Sequence, residues 1–139
     1  MVTHSFGGAA TLFSAMNGLP VRKLINIASP SLADEILKTF LRPINGSWLS
    51  AEKFKNFVKR RTGKEFEEFS ALHTIQHLPG PIDLLVVQDE DDTNVIFLHA
   101  EELLKVYPSA RLLKTTGLGH SRILKDENVI ARCVDFINS

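Results

Sequence analysis

The apolar residues of this chain change their period from segment to segment, and those changes mark out its elements. Val21 to Ala28 holds Leu24, Ile25 and Ile27 in a short apolar run between Pro20 and Ser29-Pro30. A run so short, closed by prolines, suits a strand buried on both faces of a parallel sheet. Asp83 to Gln88 (Asp-Leu-Leu-Val-Val-Gln), entered through Pro79-Gly-Pro81, predicts a second strand and is the clearest in the chain. Ala110 to Thr115, after Pro108, predicts a third. Between them the spacing turns helical. Ala9 to Asn17 predicts a helix stopped by Gly18 and Pro20. Phe97, Ala100, Leu104 and Tyr107 give Val95 to Tyr107 one apolar face. Glu127 to Asn138 places Val129, Ile130, Cys133, Val134 and Ile137 on one side of a final helix, with Asp126 as its N-cap. Strands alternating with helices predict βαβ units: an α/β fold whose short, mostly parallel sheet has about three strands and flanking helices.

Residues 30 to 80 break that alternation. Leu32, Ile36, Leu37, Phe40 and Leu41 predict one amphipathic helix, and Phe54, Phe57 and Val58 the seam of another. Phe66, Phe69 and Leu72, after Gly63, predict a third. So much helix between two strands exceeds what a crossover requires. Two readings stand, a cap over a site and a large structural decoration. The cap is favoured, because the insertion follows a strand's C-terminal end, where α/β sheets place ligands. The chain then divides into a core segment over 1–29, a helical cap or lid over 30–80, and the remaining core over 81–139.

Composition narrows the partners more than the fold. A chain of 139 residues suffices for one domain with a real core and is short for two. Sixteen basic and sixteen acidic side chains leave no net field to draw nucleic acid or an anionic membrane. The basic run Lys53, Lys55, Lys59, Arg60, Arg61 and Lys64 is surrounded by Glu52, Glu65, Glu67 and Glu68, which predicts a solvated helix face. The single cysteine, Cys133, lies in the apolar pattern of the last helix and predicts a buried thiol, consistent with a reducing compartment. No apolar stretch is long enough to cross a bilayer, and the first residues lack a signal-peptide pattern, so a cytoplasmic protein is expected. His73, His77 and His99 show no metal-ligand spacing. Structural roles are expected for them, with no metal and no other cofactor.

The chemistry gathers around Ser5. In Thr3-His-Ser-Phe-Gly-Gly8 a small residue stands two before the serine and a glycine two after it, ahead of a helix-forming stretch. That is the pattern of a sharp strand-to-helix turn from which the hydroxyl projects. Thr3 and Gly7 are expected to be small because the turn crowds them, and Gly8 to let the helix approach the sheet. The strand Leu84 to Gln88 runs into Asp89-Glu-Asp-Asp-Thr-Asn94, a cluster of carboxylates. The next strand runs into Thr116-Gly-Leu-Gly-His-Ser-Arg122, which puts His120 in a glycine-bearing loop. In a parallel sheet those ends share one edge, so the serine, the acids and the histidine converge. A serine hydroxyl needs a base within hydrogen-bond reach, and a carboxylate holds the imidazole in the right tautomer.

Through Thr3-His-Ser-Phe-Gly-Gly8, Leu84-Leu-Val-Val-Gln-Asp-Glu-Asp-Asp92 and Gly117-Leu-Gly-His120 the chain resembles the α/β-hydrolase family. It is similar to esterase-like members whose histidine loop also reads Gly-Leu-Gly-His before an arginine. The likeness covers essentially the whole chain and the C-terminal half of the family's domain, from the elbow onward. It implies Ser5 as nucleophile, His120 as base, and the Phe6 backbone N–H as an oxyanion-hole donor. The family's acid usually follows a strand-closing glycine by three residues. Asp89 holds that place here, which makes Asp92 the implied acid and Asp91 its reserve. The family's second oxyanion donor, on a loop near an early strand, has no counterpart within 1–139.

The reaction that the resemblance implies is transfer of the acyl group of a small-molecule ester to water. A non-catalytic half-domain with a structural or dimerising role is the alternative. Acyl transfer or carbon–carbon hydrolysis on the same scaffold is a third reading. His4 is expected as a packing residue more than a substrate contact, and Trp48 as either an acyl-pocket wall or an anchor of the cap. A sheet edge left uncovered invites pairing with another chain, so a homodimer through that edge is expected.

Overall fold

The computed structural model describes the whole chain, Met1 to Ser139. Four strands form one parallel sheet in chain order: β1 (Val2–His4), β2 (Lys23–Ile27), β3 (Asp83–Asp89) and β4 (Arg111–Thr115). The expected count of about three becomes four because Val2–His4 pairs with β2, Val2 opposite Ile25. Three residues carry no readable period, so this strand is announced only by the strand-to-helix turn expected at Ser5.

The helices are α1 (Phe6–Met16), α2 (Ala33–Leu41), α3 (Trp48–Thr62), α4 (Ala71–Gln76), α5 (Leu98–Val106), α6 (Gly119–Arg122) and α7 (Glu127–Asn138). Alternation along the two inner strands feeds two cores. Leu24, Leu84 and Val86 meet Ala9 and Leu12 of α1, Ala71 and Ile75 of α4, and Ala100 and Leu103 of α5. Ile25, Ile27, Leu85 and Val87 point the other way, toward Ile123 and α7. The two inner strands are thus covered on both faces, which is why β2 and β3 read as continuous apolar runs, whereas β1 and β4 hold no buried residue.

Several expectations shift. Helix α1 begins at Phe6, earlier than Ala9, because the turn lies entirely in Ser5. The third helix of the insertion is two pieces, a 3-10 turn over Phe66–Phe69 and then α4, whose N-cap Ser70 accepts from the His73 N–H at 3.2 Å. The expected seam of α3 is not buried. Phe54 and Phe57 are 45% and 55% exposed, and Ala51 is the only buried residue of that helix. What fixes α3 is Lys55, whose ammonium reaches Asp34 at 2.8 Å and Glu67 at 2.6 Å. Burial pushes that ammonium down, but the Asp34 and Glu67 carboxylates outweigh it and raise its pKa to about 12. In α7 the inward residues are Val129, Cys133 and Phe136, whereas Ile130, Val134 and Ile137 stay about half exposed. The Phe136 ring lies under the Arg111 guanidinium, 4.2 Å from its centre. Asp126 caps α7 as expected, accepting from the Val129 N–H at 3.0 Å, and Cys133 is buried. No helix is long and apolar enough to cross a membrane.

Candidate active site

One residue separates β1 from α1, and it carries the turn. Ser5 has φ 53° and ψ −132°, a region that L side chains rarely occupy and that costs about 1–3 kcal/mol. The strain is held from both sides. The Ser5 N–H donates to the Ile27 carbonyl at 2.9 Å, and the Ser5 carbonyl accepts from the Gly8 N–H at 3.1 Å. Thr3 Oγ1 donates to the Ile25 carbonyl at 3.0 Å, fixing the strand that feeds the turn.

The crowding expected at Gly7 is absent, whereas the close approach of helix to sheet expected at Gly8 is present. A methyl at Gly7 would sit 3.9 Å from Thr3 Cβ, an ordinary contact, whereas one at Gly8 would come within 1.7 Å of Asn26 Oδ1 and 2.4 Å of Ser29 Oγ. Asn26 is buried in β2, so the helix must move if its side chain does not. Gly8→Ala gains about 1 kcal/mol of helix propensity. Overpacking costs about 1–3 kcal/mol. The expected result is a lower denaturation midpoint and weaker Ser5 reactivity, with Gly7→Ala close to wild type on both measures.

The acid and the histidine arrive from the next strand ends. Asp92, buried just beyond β3, accepts at Oδ1 from the Asn94 and Val95 N–H groups at 2.8 and 2.9 Å. Its Oδ2 faces His120 Nδ1 at 2.8 Å, with Gln88 Nε2 at 3.4 Å. His120 Nε2 in turn lies 3.2 Å from Ser5 Oγ. A carboxylate at Nδ1 keeps the proton there, which leaves Nε2 free to accept from the serine hydroxyl. The structure therefore brings Ser5, His120 and Asp92 into one hydrogen-bonded line.

The other named residues fall to either side of it. Asp91 turns away from His120, and its Oδ2 accepts from the Gly117 N–H at 2.8 Å. His4 packs against His120, ring centres 4.7 Å apart, and its Nε2 meets the His120 carbonyl at 2.9 Å. Phe6 is the first residue of α1, where a backbone N–H has no acceptor in a preceding turn. Its ring stacks on Phe40 of α2 at 5.7 Å. Trp48 opens α3 with the Lys55 ammonium 5.5 Å from its ring centre, and it does not line the cavity at Ser5. That cavity, about 210 Å³, is walled by Ser5, Phe6, Ile36, Phe40, His99 and His120 among others.

Two residues at the site carry no sequence signal of their role. Asp89 stands in the sequence only as the occupant of a glycine position, and the structure buries it fully. Its Oδ2 accepts from Thr115 Oγ1 and the Leu118 N–H at 2.7 and 3.1 Å, and its Oδ1 from the Gly119 and Asp91 N–H groups, both at 3.0 Å. Burial pushes this carboxyl up, yet the four hydrogen bonds together outweigh it and hold it below its ordinary range. Asp89 ties the acid loop to the histidine loop. The second residue is His99, expected to be structural and found on the cavity wall.

No family model and no curated protein matches this sequence. Solved structures do match its fold. An esterase of Pyrococcus furiosus superimposes over 99% of this chain and 51% of its own, with a TM-score of 0.68 and 17% identity. The esterase domain of a Rhodothermus marinus protein matches over 94% and 55%, with a TM-score of 0.60 and 16% identity. A meta-cleavage product hydrolase of Pseudomonas fluorescens matches over 99% and 63%, with a TM-score of 0.62 and 16% identity. The chain spans about half the length of the first of these. Its architecture is part of an α/β-hydrolase fold.

Proposed function

We propose that this chain carries the catalytic residues of a serine hydrolase acting on a carboxylic ester or related acyl bond. The observation that carries the reading is the unbroken line from Asp92 Oδ2 through the His120 ring to Ser5 Oγ, with separations of 2.8 and 3.2 Å. Ser5 Oγ attacks the acyl carbonyl while His120 Nε2 takes its proton. Asp92 stays ionised beside the resulting imidazolium. The negative charge that develops on the carbonyl oxygen meets the Phe6 N–H, one donor of an oxyanion hole. His120 then returns the proton to the leaving alcohol. A water, deprotonated by the same nitrogen, attacks the acyl-serine and releases the acid.

In this reading the segment 30–80 acts as a cap, since Ile36 and Phe40 reach from α2 to the cavity beside Ser5. The non-catalytic alternative is not favoured: a strained serine, aligned with a base and a buried acid, has no evident structural use. A fluorophosphonate probe tests the proposal, because it bonds only to an activated serine. Labelling is expected in the wild type, and it should vanish in Ser5→Ala and fall sharply in His120→Ala. A chain that takes no Ser5-dependent label would overturn the reading.

A further inference from the structure

His99 is buried, only 1% exposed, yet the hydrogen-bond line at Ser5 does not use it. Its Nδ1 faces the backbone N–H of Ser31 at 2.9 Å and that of Leu32 at 3.1 Å. A ring nitrogen that receives two N–H groups bears no proton itself. The imidazole proton therefore sits on Nε2. Burial holds this imidazole below the usual histidine range, against the weaker opposing pull of the Glu35 and Asp92 carboxylates. The ring is neutral, of fixed tautomer, with a donor at its far end.

That donor has no partner in the protein. His99 Nε2 makes no hydrogen bond, and the one buried side-chain polar atom that lacks a partner is Ser29 Oγ. By exclusion, Nε2 meets open space, and the space that His99 lines is the cavity of Ser5 and His120. No lysine or arginine lines that cavity; its other polar walls are Thr39 and Asn94.

We infer that the His99 Nε2–H is a substrate-recognition donor, and that the group bound beside Ser5 carries a neutral hydrogen-bond acceptor such as a ketone oxygen. The inference deepens the hydrolase reading and rests on it for the word substrate. An acceptor keeps the donor paired when the cavity fills. A hydrocarbon of the same shape leaves it stranded, and sites with stranded polar groups reject such analogues far more strongly than apolar sites sort by size. A carboxylate is not the favoured acceptor, since the cavity offers no cation and Asp92 stands close by.

His99 also holds the start of the insertion through Ser31 and Leu32, so the test must separate anchoring from recognition. His99→Asn does so. The asparagine Oδ1 occupies the place of Nδ1 and accepts from the same two N–H groups, while nothing reaches the place of Nε2. Two matched pairs serve as probes: methyl 4-oxopentanoate against methyl 4-methylpentanoate, and methyl 3-oxobutanoate against methyl 3-methylbutanoate. In each pair a ketone replaces a methyl branch.

In Ser5→Ala protein, which cannot turn the esters over, the His99 Nε2–H resonance should move with at least one oxo ester and not with its branched partner. In Ser5→Ala/His99→Asn that oxo ester should bind about fivefold to tenfold more weakly, with the partner ester unchanged. A resonance that answers both members of each pair alike, or neither, overturns the inference. So does an asparagine variant that weakens both members equally. Binding is read without the serine hydroxyl, so an unlabelled Ser5 would sink the hydrolase reading and leave this result standing.

Discussion

Ester turnover is expected to fall by on the order of 10⁵-fold or more in Ser5→Ala or His120→Ala, and by about 10⁴-fold in Asp92→Asn. The measurement is kcat/KM for p-nitrophenyl acetate. The asparagine variant is the sharper probe because its failure has a specific atomic route. Asp92 Oδ1 accepts from the Asn94 and Val95 N–H groups, so an asparagine there keeps its oxygen inward. Its NH₂ then faces His120 Nδ1, where Oδ2 stood at 2.8 Å. Nδ1 must give up its proton and accept, which places the proton on Nε2, facing Ser5 Oγ. The base becomes a donor and cannot take the hydroxyl proton. The two backbone contacts of the acid loop survive; the tautomer changes, and the long Gln88 Nε2 contact at 3.4 Å is given up. The double variant Ser5→Ala/His120→Ala should be no worse than either single one, because the two act as a unit. Normal turnover in Asp92→Asn would remove the acid from the mechanism, and normal turnover in Ser5→Ala would remove the mechanism.

The strand ends that carry the candidate site were more legible in the sequence than the packing around them. Ser5, Asp92 and His120 each follow a strand, and a parallel sheet brings such ends to one edge whatever the helices do. Gly117 and Gly119, with φ 79° and 64°, were readable because such backbone favours glycine. Strand β1 was hard to read because three residues carry no period. The inward choice of Phe136 over Ile130 in α7 was passed over, although Phe136 follows Val129 and Cys133 by seven and three residues on one helical face. Their positions against the sheet and beside Arg111 decide between them. Phe54 and Phe57 kept a helical seam that stays about half exposed, with the Phe66 ring edge-on to Phe54 at 5.5 Å. His99 and Asp89 were missed for one shared reason: apart from the Thr115 hydroxyl on Asp89, their partners are backbone N–H groups. Those of His99 lie 68 and 67 residues away, and the loop partners of Asp89 lie 29 and 30 away. No side-chain pattern announces such contacts.

Asp89→Asn is expected to lower stability by on the order of 3 kcal/mol and, in the folded molecules that remain, to cut ester turnover about 100-fold. Each carboxylate oxygen of Asp89 receives two donors. An amide keeps one oxygen and turns an NH₂ group toward the other pair. At the Oδ1 place both backbone N–H bonds are lost; at the Oδ2 place the Thr115 hydroxyl turns to accept from the NH₂ and the Leu118 N–H bond is lost, so in either case a backbone donor faces a donor in a buried place. Whichever way the amide turns, a contact to the histidine loop goes, because Leu118 is held by one oxygen and Gly119 by the other. His120 is the next residue, and its Nε2 stands only 3.2 Å from Ser5 Oγ, so a small drift opens that contact. Asp91→Asn is the control: it is exposed, it loses at most the Gly117 contact, and it should stay within about 0.5 kcal/mol of wild type. The pH dependence identifies the charge. The folded carboxyl of Asp89 lies below its unfolded value, so its contribution is complete above about 3.9 and disappears as pH falls through the folded value. The stability gap between wild type and Asp89→Asn, followed by urea denaturation, should be constant near neutrality and narrow below about pH 4. A gap that persists unchanged into acid would mean that the shape of Asp89, not its charge, holds the two loops together.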